Sequence, residues 1–351
     1  MVRPQRRRSR FLALVLGLSL VAAACGGDDD DEGAGDSGGE AAEEGVQGGE
    51  LVDLGTFVGD PPEHIDPALN VTLDANQVVG SLYDGLTEVD ESDPENPRAV
   101  GQVAESWESN DDATVWTFQI REGLAFSDGT PVLPSSFVRA WERATAPDFA
   151  GDYSYLFGFI DGGDEKLEGT ADEISGVAAD DDAMTLEVTL NEPYANFAYI
   201  AGFQIFSPMP EAVDELSDQN EWENGLMVGN GPFMLEEART DEEIVLVPNP
   251  EWDGTQYDEA LGLPEQPFLD RLTFRVNADP DTSYNALEAG EVMTANLPPA
   301  RVAEAQENYG TTLDVAILGS YHFEVKWTDP VVGGPENVLL RQAISQAIDR
   351  D

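Results

Sequence analysis

Val115-Trp116-Thr117-Phe118-Gln119-Ile120 sets Trp116, Phe118 and Ile120 on one face of an extended chain and Thr117 and Gln119 on the other. Met184-Thr185-Leu186-Glu187-Val188-Thr189-Leu190 does the same: Met184, Leu186, Val188 and Leu190 on one side, Thr185, Glu187 and Thr189 opposite. Strict alternation of this kind marks a strand with one buried face. Arg271–Val276 alternates likewise, and Glu50–Val58 and Glu243–Val247 are further strand candidates. Polar turns at Ser109–Ala113, Ser127–Thr130 and Ala179–Asp182 separate such segments.

Between the strands the apolar period lengthens to that of a helix. Ser135–Ala144 gathers Phe137, Ala140, Trp141 and Ala144 on one side, and Ala75–Leu82 gathers Val78, Val79 and Leu82. Asp281 is placed to cap a helix that contains Tyr284 and Leu287 and stops at Gly290. Strands interleaved with helices, with no internal repeat, imply an α/β fold with mixed sheets. Trp107, Trp116, Phe118, Phe126 and Trp141 read as core, and Gly85, Gly129 and Gly231 as turn residues. Val338–Asp349 reads as an amphipathic helix with Leu340, Ile344, Ala347 and Ile348 in one stripe. The sequence stops two residues later without a glycine cap, so the chain is read as C-terminally truncated.

The amino end carries a different message. Arg3, Arg6, Arg7, Arg8 and Arg10 precede a fourteen-residue apolar stretch, Phe11–Ala24, whose last three residues are alanines leading into Cys25. Basic, apolar and small-residue regions in this order make a signal peptide over residues 1–25, and fourteen residues are too short to span a bilayer. A cysteine directly after the small residues is where bacterial lipoproteins are cleaved and acylated. The expectation is therefore a soluble body held at the outer face of the cell membrane by lipid on Cys25. Arg7-Arg8-Ser9-Arg10-Phe11-Leu12 comes near a twin-arginine signal, so both export routes stay open. Residues 26–49 hold nine glycines, nine acids and no aromatic residue. Such a segment buries too little apolar area to offset its ordering entropy and reads as a disordered tether.

Without residues 1–25, which carry five arginines and no acids, 70 acids face 12 bases, a net charge near −58. That argues against nucleic acid or anionic lipid surfaces as partners. A surface this acidic suits salty surroundings, where screening weakens self-repulsion. Cys25 is the only cysteine, which leaves no disulfide. His64 and His322 lie far apart in the chain, with no zinc spacing and no Gly-x-Ser-x-Gly elbow. Neither a metal nor another cofactor is expected.

Several short motifs stand in a fixed order. His64-Ile65-Asp66-Pro67 precedes Leu82-Tyr83-Asp84-Gly85-Leu86, Ala104-Glu105-Ser106-Trp107 and Val115-Trp116-Thr117-Phe118. Then come Arg121-Glu122-Gly123, Phe126-Ser127-Asp128-Gly129-Thr130-Pro131-Val132 and Phe137-Val138-Arg139-Ala140-Trp141. Thr185-Leu186-Glu187-Val188, Gly229-Asn230-Gly231-Pro232-Phe233, Leu340-Arg341-Gln342-Ala343-Ile344 and Ala347-Ile348-Asp349-Arg350 complete the series. Over about residues 50–351 the chain resembles the peptide/nickel class (family 5) of extracellular solute-binding proteins that serve ABC importers, in particular its oligopeptide-binding members.

The resemblance implies a two-lobed, periplasmic-binding-protein-like (type II) α/β fold with an extra lobe. Residues 50–87 and 205–315 would form the first cleft lobe, 88–204 the extra lobe, and 316–351 the start of a second cleft lobe that is largely missing. It also implies a monomer that binds peptides between the lobes, mainly through their backbone, and passes them to ABC permease subunits without chemical change. Aligned with the family, Asn70, Val71, Thr72 and Leu73 form a backbone-contact segment, and Tyr153 or Tyr155 faces the ligand. Phe206 and Ser207, before Pro208, fall near a lobe crossover and the cleft, Thr294, Ala295 and Asn296 along the cleft, and Tyr321 near the hinge. An aromatic residue expected near Ala295 is missing, which widens that pocket. The aspartate that holds the ligand's amino end in many members would lie beyond Asp351. Two other readings stay open: a non-peptide solute such as a nickel chelate or oligosaccharide, and a surface hydrolase.

Overall fold

Burial along Val115–Ile120 alternates as its sequence does, with Trp116, Phe118 and Ile120 buried and their neighbours half-covered. The computed structural model describes residues 47–57, 61–90, 97–216, 218–224, 227–239, 242–276, 279–310 and 324–348, all inside one unit, Val46–Asp351. Cys25 with its leader, the tether up to Val46, and Tyr321 with His322 lie outside the described residues.

In chain order the described strands are β1 (Glu50–Leu54), β2 (Thr87–Asp90), β3 (Arg98–Gly101), β4 (Ala104–Ser109), β5 (Val115–Ile120), β6 (Val177–Asp180), β7 (Thr185–Thr189), β8 (Phe233–Arg239), β9 (Glu243–Pro248), β10 (Arg271–Arg275) and β11 (Thr294–Ala295). They form a five-stranded sheet in the order β11-β1-β10-β9-β8, a four-stranded sheet β4-β5-β7-β6, and the hairpin β2-β3. β1 runs parallel to both β10 and β11, whereas β9 is antiparallel to β8 and β10. The five-stranded sheet is therefore mixed, and β11 lies at its edge. The four-stranded sheet is antiparallel throughout.

Opposite Trp116 and Phe118 in β5 stand Val188 and Leu186 in β7. Their common face, with Phe197 about 6 Å from both aromatic rings, joins one continuous core that also holds Ile244, Leu246 and Phe274 of the other sheet. Each large apolar side chain fully buried there contributes roughly 1.5–3 kcal/mol over the exposed state. Trp141 and Phe126 are fully buried in this core and Trp107 packs against it half-buried.

Three expectations are corrected. β10 does not alternate in burial: Thr273 and Phe274 are both covered, as are Ile244, Val245 and Leu246 in β9, because this part of the sheet is enclosed on both faces. The helix Pro280–Glu288 is capped by Asp279, whose carboxylate accepts the Thr282 N–H at 2.9 Å, and not by Asp281. Pro280 at the first helical position has no N–H to satisfy, which sets the start there. Gly129 does lie in the left-handed region at φ +81°, but Gly231 serves close approach and not a turn. A Cβ there would come within 2.7 Å of Leu82 and Tyr83 backbone atoms, and one on Gly229 would overlap the Leu82 carbonyl.

That close approach explains why the motifs travel together. The Gly231 N–H donates to Leu82 O (2.9 Å), the Asn230 side chain exchanges two bonds with the Asp84 backbone (3.1 and 2.9 Å), and the Ser127 N–H donates to Gly229 O (2.8 Å). Leu82–Leu86, Phe126–Thr130 and Gly229–Phe233 are thus three sides of one backbone junction. A second junction pairs Asp66 with Arg143 of the helix Pro134–Ala144: Nη1 to Oδ1 at 3.0 Å and Nη2 to Oδ2 at 2.6 Å, with both side chains buried.

Candidate functional site

Asp66 also shapes the segment that follows it. Its side chain accepts the Ala68 N–H (2.9 Å), and its carbonyl accepts the N–H of Leu69 (3.1 Å) and of Asn70 (2.8 Å). Asn70 turns inward, 2% exposed, and its Oδ1 accepts the Thr72 N–H at 3.0 Å. The Thr72 hydroxyl then caps the helix Leu73–Leu82 by accepting the Ala75 N–H at 3.2 Å. Between these two anchors Val71 is pushed outward. Its N–H and C=O have no hydrogen-bond partner among the described residues, and Val71 and Leu73 are exposed apolar side chains. The Asn70 Nδ2 is buried without a partner among the described residues.

Val71, Thr72 and Leu73 line one side of a recess of about 80 Å³, with Asn76, Tyr153, Phe203 and Gln204 closing it. Tyr153 is held edge-on against Phe203 (centroids 5.1 Å, 83°), while the exposed Tyr155 ring lies 6.4 Å further out. A second recess of about 250 Å³ shares Asn76, Phe203 and Gln204 and includes Ser207 in its lining. The structure thus brings Val71–Leu73 and Tyr153 together, with Ser207 next door.

Phe206 is a correction. Its ring is fully buried, edge-on to Trp141 at 5.3 Å and to Phe157 at 4.8 Å, and its carbonyl accepts the Trp141 Nε1–H at 3.0 Å. It builds the core and presents no open surface. Tyr321 lies outside the described residues.

Thr294, Ala295 and Asn296 occupy a different corner, at the carboxyl end of β1 and edge strand β11. The buried Asp53 carboxylate organises it, accepting the Thr294 hydroxyl (2.8 Å), the Gly55 N–H (2.5 Å) and the Thr56 hydroxyl (2.5 Å). The Ser283 hydroxyl donates to Leu54 O (2.8 Å) and accepts the Asn296 N–H (3.0 Å). The Thr56 oxygen also lies 3.2 Å from the Gln77 side-chain amide, which links this corner to the helix Leu73–Leu82. Crevices outside the carboxyl ends of parallel strands are the usual ligand position in α/β sheets.

Asn76, Gln77, Phe203 and Gln204 were missed by sequence reasoning. Asn76 and Gln77 follow Leu73 by three and four residues, so the helical period could have put them on its face. Gln204 carried no such signal; its amide reaches Asn70 O (3.4 Å) from far along the chain.

The buried charges elsewhere are structural. Asp84 accepts from Gln102 (2.8 Å) and Trp252 (2.9 Å), and burial still pushes its carboxyl up to about 6 despite these bonds and that of Tyr257. Burial, then the Asp66 charge, raises the Tyr83 phenol, against a bond from the Trp222 indole (2.8 Å). A recess of about 740 Å³ along the helix Pro134–Ala144 contains Arg139, Glu142, Arg143 and Asp214. Each of these charges is already paired inside the fold. No group of three or more His, Cys, Asp or Glu among the described residues is placed to hold a metal ion.

Comparison with known proteins agrees with this architecture. The chain is 33% identical over 299 residues to the periplasmic oligopeptide-binding protein OppA of Escherichia coli, an overlap of 84% of this chain and 52% of that protein. It is 30% identical over 297 residues to the dipeptide-binding protein DppE of Bacillus subtilis, covering 83% of this chain and 50% of the relative. Its fold matches the murein tripeptide-binding protein MppA of Escherichia coli with TM-score 0.63 at 28% identity, over 76% of this chain and 49% of the other. The chain spans about half the length of the relatives it matches. These are solute-binding proteins and not enzymes, in line with the expected binder. The profile "Bacterial extracellular solute-binding proteins, family 5 Middle" matches residues 98–351, and the chain belongs to that family of mixed-sheet α/β proteins.

Proposed function

We propose that this chain is part of the extracytoplasmic peptide-binding component of an ABC importer, holding its ligand by the peptide main chain. The observation that carries this reading is Val71. Its backbone N–H and C=O are unpaired among the described residues, on a segment pinned from both ends by Asp66 and Thr72, beside Tyr153. A rigid stretch with free amide groups is suited to add to an extended peptide, whose N–H and C=O pattern is nearly independent of sequence. The names of the relatives, oligopeptide- and dipeptide-binding proteins, support the same ligand class.

In this reading Asn70–Leu73 supply main-chain contacts, Tyr153 and Tyr155 flank the ligand, Ser207 lies at the neighbouring recess, and Thr294–Asn296 border the cleft. The β1 and β8–β11 sheet serves as the first cleft lobe (50–87 and 205–315) and the β4–β7 sheet as the extra lobe (88–204). Residues 316–351, with Tyr321, begin the second cleft lobe. Lipid on Cys25 anchors a monomeric protein outside the membrane, where it delivers peptide to permease subunits.

Calorimetric titration of the full-length protein with tri- and tetrapeptides tests the ligand. Peptides differing in side chains are expected to bind within about tenfold of one another. N-methylation of the amide that meets Val71 is expected to weaken binding by about tenfold or more, since a buried acceptor loses its partner. Absence of peptide binding, or cleavage of the peptide, would overturn the proposal. Mass spectrometry of the peptide containing Cys25 tests the anchor.

A further inference from the structure

Phe159 and Tyr194 stack with ring planes 8° apart and centroids 5.5 Å apart, beside a recess of about 380 Å³. The recess adjoins the four-stranded sheet and shares no lining residue with the recesses at Val71–Leu73. Its walls are rigid. Asn191 Nδ2 donates to Gly158 O (2.8 Å) and Ile160 O (3.2 Å), the Asn191 N–H to Phe159 O (2.9 Å), and the Tyr194 N–H to Ala113 O (3.0 Å). Gly158 leaves room for a carboxylate: a Cβ there would lie 2.7 Å from Asp164 Oδ1. Asp164 and Glu192 both line the recess and are exposed, and neither has an ion-pair partner among the described residues. The base nearest Asp164 in sequence, Lys166, is bound to Glu142 (2.7 Å).

The groups lining this space are therefore two aromatic rings and two carboxylates, and the Asn191 amide hydrogens are already spent on backbone carbonyls. Aromatic faces carry negative quadrupole density and attract cations, most strongly where carboxylates add to the field. The arrangement repels anions. We propose that this recess binds an organic cation, an ammonium or guanidinium group, with Phe159 as its platform and Asp164 and Glu192 as counter-charges. The larger recess along the helix Pro134–Ala144 offers no comparable site, since a ligand there would have to break existing ion pairs.

Saturation-transfer NMR of the full chain with tetramethylammonium chloride tests this. About 0.5 M NaCl screens the general negative charge of the protein, and tert-butanol serves as the neutral probe of the same shape. Transfer to the N-methyl protons is expected, with a dissociation constant on the order of 10 mM, and weaker transfer to tert-butanol. Phe159→Leu keeps the apolar bulk and is expected to weaken the cation at least about fivefold without changing tert-butanol. Phe159→Tyr is expected to retain binding, and Glu192→Gln to reduce it. Unchanged thermal melts verify the fold of each variant. No transfer, equal transfer to both probes, or an undiminished signal in Phe159→Leu would overturn the site.

Discussion

Removing one side of the Asp66–Arg143 pair tests how the segment Asn70–Leu73 is held. Both side chains are buried, at 0% and 5% exposure, and two charge-assisted bonds of 3.0 and 2.6 Å join them. At an effective dielectric near 20, charges about 3 Å apart attract by roughly 5 kcal/mol, most of which offsets the cost of desolvating them. Breaking such a pair from one side is costlier than its net worth, about 3–5 kcal/mol, because the remaining charge stays buried. The two single variants differ, however. Arg143→Met leaves Asp66 with the Ala68 N–H alone and is expected to cost about 4 kcal/mol. Asp66→Asn keeps an acceptor for Nη1, while the guanidinium retains the Gln219 side chain (2.7 Å), its carbonyl (3.0 Å) and the Phe149 ring (4.0 Å). About 2 kcal/mol is expected there.

In urea melts followed by tryptophan fluorescence at neutral pH, an m-value near 3 kcal/mol/M turns 4 kcal/mol into a midpoint drop of about 1.3 M. The double variant is expected to cost clearly less than the two singles together, with a coupling of about 2 kcal/mol. An Arg143→Met midpoint within about 0.3 M of wild type, or strictly additive variants, would refute the view that this pair locks the segment. The consequence reaches the proposed peptide contact, because the Asp66 carbonyl also holds Leu69 and Asn70 (3.1 and 2.8 Å) and so sets where Val71 emerges.

Asp84 gives the pH dependence. Its carboxyl is raised by burial to about 6 from an ordinary value near 3.8. The folded state then binds its proton more tightly than the unfolded chain, so this group's contribution falls as pH rises from about 4 to 6, by roughly 3 kcal/mol in all. The stability difference between wild type and Asp84→Asn is expected to vary by that amount between pH 4 and 7 and to be flat above; a pH-independent difference would refute it. Trp141→Phe is expected to cost about 2 kcal/mol more than Trp116→Phe in the same melts, because it strands the buried Phe206 carbonyl, whereas the Trp116 Nε1 has no partner to lose among the described residues. Gly229→Ala is expected to abolish cooperative folding, since the new methyl meets the Leu82 carbonyl; a wild-type melting curve would count against the junction. Lowering salt is expected to lower the melting temperature through self-repulsion of a chain with net charge −53, and an unchanged melt in low salt would count against it.

β5, β7 and the helix Pro134–Ala144 are legible without the fold, because each writes its buried face as a period of two or 3.6 within a dozen residues. The sequence also sets the motifs in a recognisable order, and the proposed roles of Asn70–Leu73 and of Tyr153 or Tyr155 rest on that order. What the motifs hold together emerges once the chain is folded. Asp66 finds Arg143, and Asn230 finds Asp84, across 77 and 146 residues, and no local period encodes a partner that distant. The same holds for Phe206, whose position two residues before Pro208 gave no sign that Trp141 and Phe157 would enclose it. Local hydrogen-bond geometry and side-chain spacing repeat along the chain and can be read from it; a buried pair exists only where the fold brings its members within 3 Å of each other and removes the water between them.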